Sequence, residues 1–397
     1  MSGPLAGVRV VDMTTVISGP VCTMLLADQG ADVIKIEPPT GDIARRTAGS
    51  SGITAMFASS NRGKRSVALD LKQPAALDVV RRLIAKADVL VQNFRPGTME
   101  RLGLGEPDLR RLNPRLVYVS ISGVGESGPY VRKRVYDPVI QSLSGVADIQ
   151  AEQGTGRPRM VRTIIADKTT AIHAAQAVCA ALYARERTGE GQHVRLSMLD
   201  AMVAFIWPEA MTLFTVVGQE ASGQSPTDRP DLIFETSDGY ITVGSLSNDE
   251  WRGLCGVLSK PEWIDDARFH TPAARSANAA ERLTLVGRIL KTNASRHWLE
   301  RLDAADVPCA PVLRRGEVIH DPQVVHNQLL SEMEQPGLGR IRQPRPAARF
   351  DRTQAAIRAP APRIGEHTEA VLVEAGLTAD EIATLEASGA AKAWRGG

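Results

Sequence analysis

Short β-branched runs alternate with helical stretches along the first third of the chain. Strands are predicted, in chain order, at Val8–Met13, Asp32–Glu37, Ser66–Leu71, Asp88–Phe94 and Arg115–Ser122. A helix opens at Gly19-Pro20, and another, Pro74–Lys86, has its apolar residues on one face. Strands joined by single crossover helices form parallel sheets, so this part predicts a doubly wound α/β domain.

The middle of the chain continues this pattern and then breaks it. A long Ala-rich helix is predicted at Asp167–Arg187, followed by a strand at His193–Met198 and a helix at Leu199–Val217. Residues 218–231 are polar and rich in turn formers, which is typical of a linker. Residues 1–217 are therefore expected to form the N-terminal part of a large domain.

The rest of the chain predicts a small domain and a returning tail. Turn residues Ser237–Gly239 between two β-branched runs indicate a hairpin, and three helical stretches follow it, so residues 232–315 predict a small α+β domain. Residues 316–397 contain a Pro-rich extended stretch and helices at Glu366–Ala375 and Ala379–Ala387. This tail is expected to return to the large domain.

Composition excludes several classes of protein. The 397 residues carry 47 Lys and Arg against 45 Asp and Glu, and aromatic residues are 4%, which argues against a nucleic-acid partner. The four cysteines lie far apart and without His at ligand spacing, so neither a disulfide framework nor a metal site is expected. No leader pattern and no long apolar run is present, so we expect a cytoplasmic protein without a membrane partner.

A glycine motif and several basic stretches are candidate anion sites. GVGESG at residues 123–128 fits GxGxxG after a strand, but Pro129 and its position in the sheet favour a flexible loop over a dinucleotide site. Basic residues cluster at residues 62–72, 95–101 and 132–134. Where parallel strands end, such residues bind phosphorylated ligands, although a solvated basic face is the simpler explanation of the composition.

Asp167 stands at the start of the long Ala-rich helix. Its ordinary explanation is an N-cap that accepts hydrogen bonds from free amides of the first turn. The functional hypothesis uses the same position: an ionised carboxylate at a partly buried helix start can attack an acyl carbonyl. The sequence leaves both open and favours the cap.

A series of stretches resembles one known family, the class III coenzyme A transferases (CaiB/BaiF), which also contains the α-methylacyl-CoA racemases. The matching stretches run in order along nearly the whole chain, and they include PLAGVRVVDMTTVISGP, NRGKRSVALDLK, NFRPGTMERLGLG, LNPRLVYVSISGVGESGPY, YDPVIQSLSG, the AD at Asp167, ARERTGEGQHVRLSMLDAM, VPCAPV and GEHTEAVL. Each stretch alone is weak, but their ordered series is specific.

The resemblance implies a Rossmann-like large domain completed by the C-terminal segment, a smaller domain, and a homodimer whose two chains interlock. It also implies transfer of CoA from an acyl-CoA donor to a small carboxylic acid acceptor. In such enzymes an Asp attacks the thioester, and mixed-anhydride and aspartyl-CoA thioester intermediates follow. Asp167 matches that nucleophile.

The resemblance further implies where coenzyme A would bind, as a substrate and without a metal. The matching positions are Val16, Ile17, Ser18, Leu69, Lys72, Asn93, Phe94, Arg95, Arg101 and Arg134. The basic members suit the diphosphate and 3′-phosphate of CoA.

Two alternatives remain within the same resemblance. A 2-methylacyl-CoA racemase would use Asp167 as one acid/base, but the positions of its other acid/base residues hold Tyr136 and Ser247, which cannot exchange an α-proton near neutral pH. A catalytically idle CoA-binding protein is the third hypothesis. Transferase is the favoured interpretation.

Overall fold

The computed structural model describes residues 3–45, 52–152, 154–218 and 231–395. Two compact units are present: residues 1–223 with 328–397, and residues 224–327. Of the predicted linker 218–231, all but its two end residues lie outside the described residues.

The strands of the described residues, numbered in chain order, are β1 (Arg9–Met13), β2 (Asp32–Glu37), β3 (Lys64–Leu69), β4 (Val89–Gln92), β5 (Val117–Ser122), β6 (His193–Ser197), β7 (Ile233–Glu235), β8 (Tyr240–Val243), β9 (Cys309–Pro311), β10 (Leu330–Gln335), β11 (Gly339–Pro344) and β12 (Ala391–Lys392).

The α-helices of the described residues are α1 (Ser18–Asp28), α2 (Ala55–Asn61), α3 (Pro74–Ala85), α4 (Thr98–Arg101), α5 (Glu106–Leu112), α6 (Asp137–Leu143), α7 (Val146–Ile149), α8 (Ile165–Thr188), α9 (Met198–Ala210), α10 (Asn248–Val257), α11 (Pro272–Ala277), α12 (Ala279–Leu290), α13 (Ser295–Ala304), α14 (Pro322–His326), α15 (Thr368–Glu374) and α16 (Ala379–Ala387).

A seven-stranded mixed sheet organises the first unit, with strand order β12-β3-β2-β1-β4-β5-β6. Every neighbouring pair is parallel except β12 with β3. The predicted α/β class is confirmed. In doubly wound sheets ligands bind beyond the carboxyl ends of the strands, near the point where strand order reverses, which here lies between β1 and β4.

Helices cover both faces of this sheet, which is why its central strands read as continuous apolar runs. One face packs Val11, Ile34 and Leu90 against α3, α15 and α16. The other packs Val10 and Val119 against α1 and the Ala-rich face of α8. The small side chains of α8 let it lie close to α1.

The C-terminal tail joins the first unit through backbone pairing at the β3 edge. Ala391 of β12 pairs with Leu69. The N–H of His367 donates to the Ser66 carbonyl over 3.0 Å, and the Thr368 hydroxyl accepts from the Ala68 N–H over 3.1 Å.

Three elements differ from the sequence predictions. The helix predicted to reach Val217 ends at Ala210, two residues after an internal Pro208 removes a backbone donor. The antiparallel hairpin β10–β11, which overlaps the start of the Pro-rich extended stretch, was not predicted. The two-residue strand β12 is too short for its pattern to indicate a strand.

The second unit has the predicted mix of a small sheet and helices. Its strand order is β7-β8-β9, and the pairs are antiparallel. Trp251, Trp263 and Phe269 pack together in its core with ring centroids 5.8–6.3 Å apart. None of the described helices is long and apolar enough to cross a membrane.

Candidate active site

A cavity of about 660 Å³ opens beyond the carboxyl ends of β1, β4 and β5 in the first unit. Asp167 lies in its wall. Lining residues come from the loops after β1, β4 and β5, from the segment before α6 and from the starts of α8 and α9. The cavity therefore collects side chains that are far apart in the sequence.

Asp167 lies in the first turn of α8 but does not cap it, so the N-cap explanation favoured by the sequence is wrong. The N-cap residue is Ile164, whose side chain cannot accept a hydrogen bond. The capping acceptor comes from another helix instead: Asp137 Oδ2 accepts the N–H groups of Ala166 over 2.7 Å and Asp167 over 3.3 Å. The Asp167 carboxylate is thereby left free to face the cavity.

Asp137 is a buried carboxylate, 3% exposed, at the first position of α6. Its Oδ1 accepts from Gln141 Nε2 over 2.5 Å. Gln141 in turn accepts the Val161 N–H over 2.9 Å, which fixes the segment that leads into α8. This arrangement fixes the start of α8 and with it the position of Asp167.

Opposing effects act on the pKa of Asp167. Burial and the nearby Asp137 carboxylate raise this pKa to about 6, against the lowering effect of hydrogen bonds from the Ser18 backbone and side chain. Ser18 is the first residue of α1, so the positive end of that helix also faces the carboxylate. Asp167 is thus ionised near neutral pH yet poorly solvated, which suits a nucleophile.

The loop between β1 and α1 holds Ser18 in place, and its backbone is strained. Val16 has φ 69°, a left-handed conformation that is costly for a β-branched residue. The Asn93 side chain clamps this loop by accepting the Thr15 N–H and donating to the Thr15 carbonyl, both over 2.9 Å. Asp42 Oδ1 accepts the Val16 N–H over 3.3 Å.

Buried ion pairs lie beneath the same loop. Lys35 donates to the Thr14 carbonyl over 2.8 Å and to Asp42 over 2.9 Å. Lys64 pairs with Asp12 over 2.8 Å, and all four charged side chains are fully buried. Burial alone would raise the pKa of Asp12, but the ammonium groups of Lys64 and Lys35 lower it to about 2. Every charge is matched, so this network is rigid support for the loop.

The structure brings most of the predicted site residues to one cavity. The lining includes Val16, Ser18, Asn93, Phe94, Arg95, Arg101, Arg134 and Asp167. Arg132 and Lys133 also line it. Five of the lining side chains are basic: Arg95, Arg101, Arg132, Lys133 and Arg134. Among the described residues, no carboxylate forms an ion pair with any of them, so an arriving anion would meet uncompensated positive charge.

Three predicted contacts lie away from the lining. Ile17 is 5% exposed at the N-cap of α1, and Leu69 is fully buried in the sheet core. Lys72 is exposed in the turn before α3. Contacts of CoA with these three, as with the seven that line the cavity, remain predictions.

Tyr136 and Ser247 occupy the positions at which a racemase would hold its other acid/base residues. Tyr136 is 66% exposed and lines the cavity. Ser247 caps α10 by accepting the Glu250 N–H over 3.1 Å.

The role of Asp137 could not be predicted from the sequence, because an acid at the first position of a helix already has an ordinary explanation in the helix dipole.

Comparison with known proteins identifies the family of this chain. The profile of CoA-transferase family III matches residues 5–368. Human succinyl-CoA:glutarate CoA-transferase is 32% identical over 94% of this chain and 86% of its own. Succinate--glutarate CoA-transferase of Agrobacterium fabrum is 34% identical over 94% and 95%, and formyl-CoA:oxalate CoA-transferase of Shigella sonnei is 33% identical over 97% and 99%.

Solved structures show the same fold. A CAIB/BAIF family protein from Brucella suis superposes with TM-score 0.81 at 32% identity, over 94% of this chain and 100% of that one. An aspartate-to-alanine variant of Rv3272 from Mycobacterium tuberculosis gives 0.83 at 32% identity, over 94% and 99%. The chain therefore belongs to CoA-transferase family III and is an acyl-CoA:carboxylate CoA-transferase.

Proposed function

We propose that this enzyme transfers CoA through covalent intermediates on Asp167. The observation that carries the proposal is the placement of Asp167: a partly desolvated carboxylate, held by Ser18, in a cavity lined by unpaired basic side chains. The basic residues would bind the phosphates of CoA, and the thioester would then reach Asp167.

In the first half of the reaction a carboxylate oxygen of Asp167 attacks the thioester carbonyl of the donor. The C–S bond breaks, CoA leaves as the thiolate, and a mixed anhydride joins Asp167 to the acyl group. The thiolate then attacks the Asp167 carbonyl, which releases the donor acid as a carboxylate and leaves an aspartyl-CoA thioester. No net proton is consumed.

The second half reverses these steps with the acceptor. The acceptor carboxylate attacks the aspartyl-CoA thioester, so the thiolate leaves again and a second anhydride forms. The thiolate attacks the acceptor carbonyl, which gives the new acyl-CoA and restores the Asp167 carboxylate. Asp167 must be ionised when each catalytic cycle begins, so its pKa of about 6 sets the acidic limit of activity.

Dicarboxylic acids are the first substrates to test. Two of the relatives are named for succinyl-CoA or succinate together with glutarate, and their identity to this chain extends over 94% of it. We propose succinyl-CoA as donor and glutarate as acceptor for the first assay, with oxalate and monocarboxylates in the same panel.

We also propose that a second copy of the chain completes the enzyme as a homodimer. Large apolar side chains are exposed on α8 and α9, among them Ile172 at 61%, Tyr183 at 68% and Phe205 at 53%. Exposed apolar area of this kind marks an interaction surface. Burial against a second copy accounts for it.

Replacing the proposed nucleophile tests the mechanism. Asp167→Asn keeps the size of the side chain and removes its charge, so we expect transfer from succinyl-CoA to glutarate to fall by at least about 1,000-fold. Asp200→Asn, which changes an exposed acid in the first turn of α9, is the matched control and should keep full activity.

Trapping identifies the intermediate directly. Hydroxylamine added with donor should convert the aspartyl thioester to a hydroxamate on the peptide that holds Asp167, as read by mass spectrometry. Full transfer by Asp167→Asn, or a hydroxamate on another residue, would refute the proposal.

A further inference from the structure

A second cavity, of about 330 Å³, lies within the second unit. It is lined by residues of β7, β8, α10 and α12, and its walls are mainly apolar, with Phe234, Val243, Leu254, Leu283 and Val286 among them. This volume is at the lower end of the roughly 300–1,000 Å³ found for small-molecule sites. The cavity therefore has the size and the lining for a small, mainly apolar ligand.

One cation in the wall of this cavity has an unsatisfied group. Arg282 Nε is buried and makes no hydrogen bond. Within the described ranges, no carboxylate forms an ion pair with Arg282. Burial, and then the neighbouring Arg275, lower the pKa of Arg282, which shows the cost of leaving this charge uncompensated.

Arg275 lies close to the partly buried Arg282 and is itself buried, with no carboxylate of the described residues paired to it. It is 2% exposed and donates to the Phe269 carbonyl over 3.0 Å and to Asn248 Oδ1 over 2.9 Å, which are neutral acceptors. Both guanidinium groups lie within 6 Å of the Trp251 ring centroid, Arg275 at 5.6 Å and Arg282 at 5.9 Å. The local field therefore favours an anion.

The acidic residue in the cavity wall does not supply that anion. Glu250 Oε2 accepts the N–H groups of Leu246 over 2.6 Å and Ser247 over 2.9 Å at the start of α10. Glu250 closes the capping box of that helix and, within the described ranges, forms no ion pair with Arg282.

We propose that this cavity binds an aliphatic carboxylate, with the carboxylate on Arg282 and the chain among the apolar walls. One such ligand satisfies both features, because it supplies the missing negative charge and fills apolar space. The lining of this cavity comes from the second unit, whereas the proposed CoA cavity is lined by residues of the first unit. Binding of the carboxylate therefore does not depend on bound CoA.

The acid bound here is an effector that the enzyme binds unchanged, because an acceptor must bring its carboxylate to Asp167 in the first unit rather than to Arg282. A kinetic assay with octanoate checks this, and we expect no new acyl-CoA whose formation depends on Arg282. If octanoate were converted to its CoA ester, and Arg282→Gln raised its KM more than it lowered kcat, the effector site would be refuted.

Calorimetry with octanoate on the full-length protein tests the site without any CoA donor. We expect saturable binding that Arg282→Gln weakens at least about tenfold. Leu283→Phe, which fills the cavity, should weaken it similarly. Arg288→Gln, an exposed arginine on the same helix, should leave it unchanged.

The uncharged 1-octanol should bind far more weakly than octanoate. Absence of octanoate binding to the wild-type protein, equal binding of the alcohol, or binding insensitive to Arg282→Gln would each overturn the proposal. Because calorimetry reads binding without CoA chemistry, a failed transfer mechanism on Asp167 would not change this result.

Discussion

The reactivity of Asp167 depends on its two neighbours, which act in opposite directions. Burial, and then Asp137, favour the protonated carboxyl, whereas the Ser18 backbone and side chain favour the ionised form. Asp137 has a second task, since the same carboxylate caps the helix on which Asp167 stands. Asp137 thus acts on both the position and the pKa of the proposed nucleophile.

Asp137→Asn separates these two tasks. The amide oxygen can still accept the Ala166 N–H, but the negative charge is gone, so the pKa of Asp167 should fall. Below this pKa Asp167 is protonated and cannot attack, so the acidic limb of the kcat profile should move down from about pH 6 by about one pH unit.

The measurement is kcat for CoA transfer between pH 4.5 and 8, with pH-matched unfolding to confirm that the variant is folded. A limb that stays where it is in the wild type would show that Asp137 is only a cap. Asp148→Asn, an exposed acid in the nearby α7, is the control and should not shift the limb.

At the scale of elements, the loop between β1 and α1 links the buried charges to the site. It holds Val16 in a strained conformation and presents Ser18 to Asp167. Strain of this kind persists only where the surroundings fix it, and here Asn93 and Asp42 do so. We therefore expect Asn93 to act through the loop as well as through any contact with CoA.

Asn93→Ala removes both hydrogen bonds to Thr15. We expect a loss of about 1–3 kcal/mol in the free energy of unfolding and a fall in kcat, because Ser18 is no longer held. A residue that only contacts CoA would instead raise KM with kcat intact.

Asn113→Ala is the matched control for this prediction. Asn113 donates to the Ile84 and Ala87 carbonyls over 3.1 and 2.8 Å in a part of the first unit away from the cavity. It should lose comparable stability by chemical denaturation and keep kcat. Equal kcat for both variants would contradict the role of the loop.

The elements that the sequence predicted are those whose pattern is local. Parallel strands β1 to β5 are largely buried and bounded by turn residues, so their apolar runs could be recognised from a few neighbouring residues. β12 is two residues long and exists only because Ala391 pairs with the β3 edge. Asp137 likewise acquires its role from a contact 29 residues away.

Across the whole molecule, the exposed apolar surface of α8 and α9 is the feature that a single chain leaves unexplained. α8 buries its other side against α1 and the sheet, and α9 buries its other side against α6, α7 and the start of α8, so neither can turn inward to hide this surface. The second copy of the chain that we propose would cover this surface.

Phe205→Glu places a charge on this surface and should therefore weaken dimerisation, which analytical ultracentrifugation would show as a smaller sedimenting species. We expect the folded fraction to fall with it, because an interlocked dimer has no stable monomer. Val325→Glu, at a 59% exposed apolar position in the second unit, should leave the assembly intact. A wild-type protein that sediments as a monomer would refute the homodimer.

The pairing of β12 with β3 also has a consequence for synthesis. A ribosome makes β3 more than 300 residues before Ala391, so during nearly all of translation the edge of the nascent sheet has no partner strand. Unpaired edges are templates for aggregation. This enzyme therefore reaches its protected state only after Ala391 and Lys392 leave the ribosome, and a stop codon before Ala391 would release a chain with an open edge.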